Sequence, residues 1–267
     1  MLDITLRFLK DKWKSILVYV IAGIGFMWMY VGMFPSIQKQ AGNYADIAKA
    51  FPEAMLKAFG IQNFSISHLE NFLSIEHFSL IWPLMLILLV TAFAANAIAA
   101  EVEKGTIELT LARPVSRLSV FWGKYLAGII ALLVFVALSI FSIAPLAGIH
   151  QVSYTFSHFV TMAVLGALFG WAIFSCGMMF SAFVSDKSKV GMYIGAVLIV
   201  MYVLNIISGL KESFQNLQYF SLFHYFTSEA ALVNNNLPTN SVLVFVGVAI
   251  VCTLLAAWRF AKRDIAT

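Results

Sequence analysis

The sequence predicts an all-α integral membrane protein. It should form a six-transmembrane-helix bundle with an N-terminal interfacial helix, a short cytoplasmic helix between spans two and three, and short helices on the outer face. Three observations carry this. Of the 267 residues, 61% are hydrophobic and 11% are charged, against roughly 25% charged in soluble domains; so little charge cannot cover a water-facing surface. Six apolar runs have about the 20 residues needed to cross a hydrocarbon core of about 30 Å. Lys and Arg gather in alternate connecting segments, the pattern that orients multi-span chains.

The chain reads as a single transmembrane domain over 1–267. In residues 1–14, Leu2, Leu6, Leu9 and Trp13 share one stripe and Asp3, Arg7, Lys10 and Lys14 a neighbouring one, as in a helix lying in the headgroup plane. Ile4 and Phe8 break that pattern, and a plain cytoplasmic extension of the first span is the alternative. The first span covers about 15–34. No small-x-small cleavage site follows it, so it is expected to be retained.

Residues 35–77 form an outer loop punctuated by Pro35, Gly42, Pro52 and Gly60, with a helical piece at 52–59. Ser67-His-Leu-Glu70 has the pattern of a capping box and should start a helix that can run directly into the second span, 78–100. After the charged segment 101–117 come the third span, 118–143, a turn region at Pro145, Gly148 and His150, and the fourth span, 157–184. Ser185 to Lys189 is a tight polar loop before the fifth span, 190–209. The outer loop 210–240 is rich in Phe and Tyr. It suits either short helices dipping into the bundle or an interfacial aromatic belt. The sixth span is 241–258, followed by a basic tail.

Thirteen of the seventeen Lys and Arg residues lie in the two terminal segments, in 101–124 and in 185–189. The other four, Lys39, Lys49, Lys57 and Lys211, lie in the opposite loops. This bias places both termini and 101–117 in the cytoplasm of a cell-membrane protein. It also accounts for the net charge of +4 without a nucleic-acid partner.

The chemistry the sequence lacks narrows the function. Gly123-Lys124 is followed by Tyr125 and has no glycine five residues upstream, so no nucleotide-binding G-x-x-x-x-G-K-[ST] loop is present. There is no H-E-x-x-H, no Cys/His spacing for zinc and no G-x-S-x-G elbow. Cys176 and Cys252 fall inside apolar runs and read as packing residues. The span centres contain no Asp, Glu, Lys or Arg, and Lys124 is close enough to a span end to snorkel. Ion-coupled carriers usually keep ionisable groups at depth. Asn96 and Asn205 suit helix–helix glue, or contact with a substrate. Gly166-Ala-Leu-Phe-Gly170 and Gly191-Met-Tyr-Ile-Gly195 suit close helix approach, within the chain or between chains. All five histidines fall on the predicted outer side, at spacings that match no metal motif.

The most informative stretch runs from Glu101 to Arg117. The second span can continue until Gly105, Thr106 can cap a new short helix with Glu108 near its positive end, and Ile107, Thr110 and Leu111 then share a face. Arg113 precedes a proline and should end that helix, and Ser116 can cap the third span. An ordinary charged loop is the alternative from physics alone.

Glu103-Lys-Gly-Thr-Ile-Glu-Leu-Thr-Leu-Ala-Arg-Pro-Val-Ser-Arg117, Gly123-Lys124, Phe220 to Tyr225 and Trp258 to Ile265 together resemble the permease subunits of type-2 ABC exporters. The resemblance implies a dimer with a second permease copy or paralogue, and a separate ABC ATPase subunit docking on a cytoplasmic coupling helix. The coupling residues would be Glu101, Glu103, Lys104, Gly105, Thr106, Ile107, Glu108, Leu111, Arg113 and Arg117, with Ile107 and Leu111 pressed into an ATPase cleft. No catalytic residue and no cofactor are expected in this chain, since ATP and Mg would be bound by the partner ATPase. An ion-coupled carrier or channel and an intramembrane enzyme are the competing functions. The apolar bundle fits amphipathic or lipid-like cargo and fits ordinary membrane packing equally well.

Overall fold

The structure is a computed structural model and describes residues 1–39, 68–107, 115–210 and 212–263. The described residues are helical, without strands. In chain order the elements are α1 (Leu2–Gln38), α2 (Leu69–Glu76), α3 (Ile81–Ala97), α4 (Ala99–Glu103), α5 (Arg117–Phe141), α6 (Ile143–His150), α7 (Phe156–Phe183) and α8 (Lys187–Leu210). A 3-10 helix, Glu212–Phe220, then leads to α9 (Leu222–Tyr225), α10 (Ser228–Leu232) and α11 (Thr239–Lys262). By length and apolarity α1, α5 continued by α6, α7, α8 and α11 can each cross a membrane, and the pair α2–α3 makes a sixth. The expected helix at 52–59 lies outside the described residues.

Helix α7 is the centre of the bundle. It packs along α11, α3, α5 and α8, while α1 runs along the outside of α5. Small residues allow the close approaches. The ring of Phe174 on α7 occupies the space a Cβ on Gly128 of α5 would need, with Cε2 2.5 Å from that position. Gly166 lies under the Trp82 indole, and Gly170 under Leu132 and Leu86. The first G-x-x-x-G pair therefore serves packing within the chain. The second is different: nothing lies within 4 Å of a Cβ on Gly191 or Gly195.

Four local features depart from the sequence expectations. First, α1 is continuous for 37 residues, about 55 Å at 1.5 Å per residue. Residues 1–14 do not form a separate helix; their turns continue into the first long helix. Ile4 and Phe8, which interrupt the surface stripe, belong to the face that packs inward. Ile4 meets Gly123, Phe8 sits edge-on to Phe93 at 5.9 Å, and between them the Thr5 hydroxyl donates to Gly123 O at 2.8 Å. Leu2, Leu6 and Trp13 face outward.

Second, α2 and α3 do not form one straight helix but meet at a 53° bend. The break precedes Pro83, which lacks an N–H and is tolerated in the first turn of α3. Helix α2 begins at Leu69 without a side-chain cap, and Ser67 lies outside the described residues. The Glu70 carboxylate is buried and accepts the Thr155 N–H at 2.7 Å.

Third, Pro145 and Gly148 are helical, in α6. Pro145 occupies the first turn after the Ser142 junction, where a missing N–H costs little. The turn comes at Gln151, with φ 54°.

Fourth, the loop 210–240 divides into two parts. Phe220 and Tyr219 of the 3-10 helix are exposed. Leu222 of α9 and the following Phe226 are buried, with Phe226 4.6 Å from Phe169 and stacked 6.5 Å from Trp82. Only the second part dips into the bundle; the 3-10 helix keeps Tyr219 and Phe220 on the surface.

Several interior polar groups are paired across helices, while both ring nitrogens of His77 and the hydroxyls of Thr91 and Thr227 are buried without a hydrogen-bond partner. The Trp82 indole donates to Ser139 Oγ at 2.9 Å. Tyr125 of α5 joins Ser175 of α7 and Thr253 of α11 at 2.7 Å each and accepts the Trp171 indole N–H at 2.7 Å. Cys176 and Cys252 are free thiols in contact, 3.4 Å apart.

Candidate functional site

The segment singled out by sequence, 101–117, is described up to Ile107 and again from Val115. Glu108, Leu111 and Arg113 lie outside the described residues. What is described forms a bonded platform at one end of the bundle, built on a helix break.

Helix α3 ends at Ala97 and α4 starts at Ala99, with Ile98 outside helical geometry between them. In an unbroken helix the Glu101 N–H would bond Ala97 O. Here it bonds Ile98 O at 3.1 Å, and Lys124 Nζ of α5 donates to Ala97 O at 2.6 Å. The N–H groups of Ile98 and Ala99 donate to Ser181 Oγ of α7, at 3.3 and 3.0 Å. A serine oxygen has two lone pairs and can take both.

Lys124 also forms an ion pair with Glu101 across 2.5 Å. It is 2% exposed, so it does not snorkel to the surface as the sequence suggested. Its charge is met inside by a carboxylate and a carbonyl, the condition under which a buried cation persists. Beside the break, Lys12 of α1 donates to Asn96 Oδ1 at 3.0 Å, and Asn96 Nδ2 donates to Ala92 O at 2.7 Å. Asn96 therefore joins helices.

Beyond the break, α4 stops where the sequence placed its stop. Gly105 has φ +66°, a conformation open to glycine. The N–H groups of Gly105 and Thr106 close back on Val102 O and Glu101 O, both at 3.0 Å. The Thr106 hydroxyl donates to Glu101 O at 3.4 Å, and the short helix expected after it falls on 108–114, outside the described residues. Lys104, Gly105 and Thr106 are exposed.

Ile107 is 2% exposed and belongs to the apolar core of the chain. This corrects the expectation that it is presented to a partner: an aliphatic side chain at the end of a polar turn gains most by burial in its own bundle. Glu103 remains exposed and accepts the Lys187 N–H of α8 at 2.9 Å.

Two further connections complete the platform. Ser116 caps α5 by accepting the Ser119 N–H at 3.1 Å. Arg117 donates to the carbonyl of Arg263. Arg263 in turn donates to Ala182 O, Val184 O and Ser185 Oγ, at 3.0, 3.1 and 2.6 Å, taking up carbonyls freed at the end of α7. In the adjoining loop the Ser188 hydroxyl and N–H hold the Asp186 carboxyl below its ordinary value. Sequence reasoning missed Ser181 and Arg263 and misplaced Lys124. The available signal was their position, each within a turn or so of a span end near the connector.

An open apolar groove of about 750 Å³ lies between α5 and α7, lined by Tyr125, Ile129, Leu133, Val164, Leu168 and Trp171 among others. Among the described residues no three His, Cys, Asp or Glu side chains are placed to hold a metal. The histidines are dispersed: His77 is buried, His150 accepts the Trp28 indole N–H at 3.1 Å, and His158 Nδ1 bonds Leu232 O at 2.7 Å.

The long apolar helices define a multi-pass membrane protein. Residues 6–265 match the model of a family described as ABC-2 family transporter protein, and the chain belongs to that family. No curated protein matches the chain.

Proposed function

We propose that this chain is the permease subunit of an ATP-driven exporter, pairing with a second copy or a paralogue to form the translocation pathway and driven by a separate ABC ATPase. ATP and Mg are bound by that ATPase, and this chain is not itself an enzyme. The observation that carries the reading is the family match over 6–265, in a chain whose connector is bonded to α5, α7 and α8 at once. A displacement at such a connector reaches three long helices. The described connector residues exposed to a partner are Glu103, Lys104, Gly105, Thr106 and Ser116, and Leu111, outside the described residues, is the apolar contact we assign to the ATPase.

Both termini and the connector lie in the cytoplasm of the cell membrane in this reading. With Cys176 and Cys252 replaced by alanine, cysteine at Lys187 is expected to react only with reagent on the cytoplasmic side, and cysteine at Gln151 only from outside. Labelling of both from one side overturns the topology.

The buried Lys124–Glu101 pair is the feature that most favours an ion-coupled carrier. It sits at a helix end and is internally neutralised, which suits a structural pair better than a transported charge. The deciding experiment uses the full complex in ATP-loaded vesicles. Transport is expected to survive a protonophore at constant ATP. Leu111→Asp, which sets a charge against an apolar cleft, is expected to lower ATPase co-purification and transport by about tenfold or more. Loss of transport on dissipating the proton gradient, with ATP present, replaces this reading with the ion-coupled one.

A further inference from the structure

We propose that the break at Ala97–Ala99 is a two-state hinge between connector and bundle, and that Lys124 is the positioning residue that holds it open. The argument lies in the bookkeeping of one carbonyl. Ala97 O has two competing donors: the Glu101 N–H, which would take it in a continuous helix, and the Lys124 ammonium, which takes it here at 2.6 Å. Lys124 reaches both sides of the break, bonding residue 97 before it and the residue 101 carboxylate after it.

Ser181 supports the same state by accepting the two N–H groups that the kink turns out of the ladder. In the broken arrangement Ala97 O goes to Lys124 and the Ile98 and Ala99 N–H groups go to Ser181. In a continuous helix Ala97 O would take the Glu101 N–H, and the Ile98 and Ala99 N–H groups would go to Ala94 O and Ala95 O. These three backbone groups thus have partners in either arrangement, the two being separated by a local rotation, and packed elements pass motion on through such discrete switches.

The inference deepens the proposed function and rests on it: ATPase-driven displacement of 101–107 would exchange one arrangement for the other, changing the axis along which α3 enters the bundle. It also predicts which substitutions are equivalent. An arginine at 124 keeps donors for both the carbonyl and the carboxylate. Exchanging the charges, Glu101→Lys with Lys124→Glu, keeps the ion pair but turns an acceptor on Ala97 O. A pair that is only electrostatic tolerates the exchange; the hinge does not.

The test is made on the full chain, in complex with its ATPase for activity and alone in lipid nanodiscs for geometry. Spin labels on cysteines at Leu88 and Lys104, with Cys176 and Cys252 replaced by alanine, report the separation across the break. Lys124→Arg is expected to keep at least half of the transport and the parent distance. Lys124→Met and the charge exchange are expected to keep ATPase binding, to lose transport by about tenfold or more, and to show a second distance population.

Should Lys124→Met fail to fold, the exchange and Glu101→Gln decide. Glu101→Gln keeps the carbonyl contact and is expected to fall between the parent and the exchange. Restoration of transport and of the parent distance by the exchange overturns the hinge. If parent transport does not follow ATP, the functional reading fails, and the distances still decide: a parent-like distribution in Lys124→Met and in the exchange rejects the hinge, and a second population upholds it.

Discussion

Ile107→Asp is expected to destabilise the chain itself by about 4 kcal/mol or more. The side chain is fully packed in the core. Its burial is worth about 1.5–3 kcal/mol, and an unpaired carboxylate in its place adds a penalty of several more. The measurement is the fraction of protein remaining monodisperse after heating in detergent. Ile107→Val, which removes one methyl group, is expected to cost only about 1 kcal/mol. Leu111→Asp, by contrast, is expected to match the parent in this assay and fail in ATPase docking. The two positions, four residues apart, thus report separately on how the connector is anchored and what it presents. An Ile107→Asp protein as heat-resistant as the parent would show that the connector is not tied to the core.

Gly128→Val is expected to be as damaging, for a packing reason. The Phe174 ring lies where the new side chain must go, and ordinary carbon–carbon contact needs about 3.5–4.0 Å. Phe174 is itself fully buried and 5.2 Å from the Tyr125 ring, so it cannot step aside without disturbing the Tyr125–Ser175–Thr253 bonds. A loss of about 3 kcal/mol is expected, at the upper end for overpacking. Phe174→Leu in the same chain should recover part of it, the non-additivity of residues that share one space. Gly247→Ala is the control: nothing lies within 4 Å of its Cβ position, and alanine's better helix propensity makes it neutral or slightly stabilising. Equal thermal loss from Gly128→Val and Gly247→Ala would remove the packing argument.

The long helices are legible in the sequence because each apolar run is uninterrupted and long enough to satisfy its own backbone in lipid. Gly105 and Ser116 are legible because left-handed geometry and helix N-caps have narrow residue preferences. What eludes sequence reasoning depends on partners distant in the chain. Lys124 looks able to reach water until Glu101 and the Ala97 carbonyl close around it. Ile107 looks like half of a docking face until the core receives it. Ile4 and Phe8 look like flaws in a surface helix until Gly123 and Phe93 appear beside them. Pro145 looks like a turn because proline is disfavoured in helix interiors, but at a first turn the same residue fits.

The empty space at Gly191 and Gly195 has a mechanical consequence. Only 17% of the apolar stretch of α8 is buried within the chain, against 61% for α7; α8 meets α3 and α7 along one narrow stripe, Val190, Ile194 and Leu198, with Glu103 on the Lys187 N–H at one end and the 3-10 helix at the other. The molecule is consequently stiff along α3, α5, α7 and α11 and compliant along α8. Tilting or rotating α8 disturbs few interlocked side chains, and deformations of that kind lie at the low-energy end of a protein's motions. A load applied at the connector is therefore spent on moving one wall of the bundle, while the rest keeps its shape.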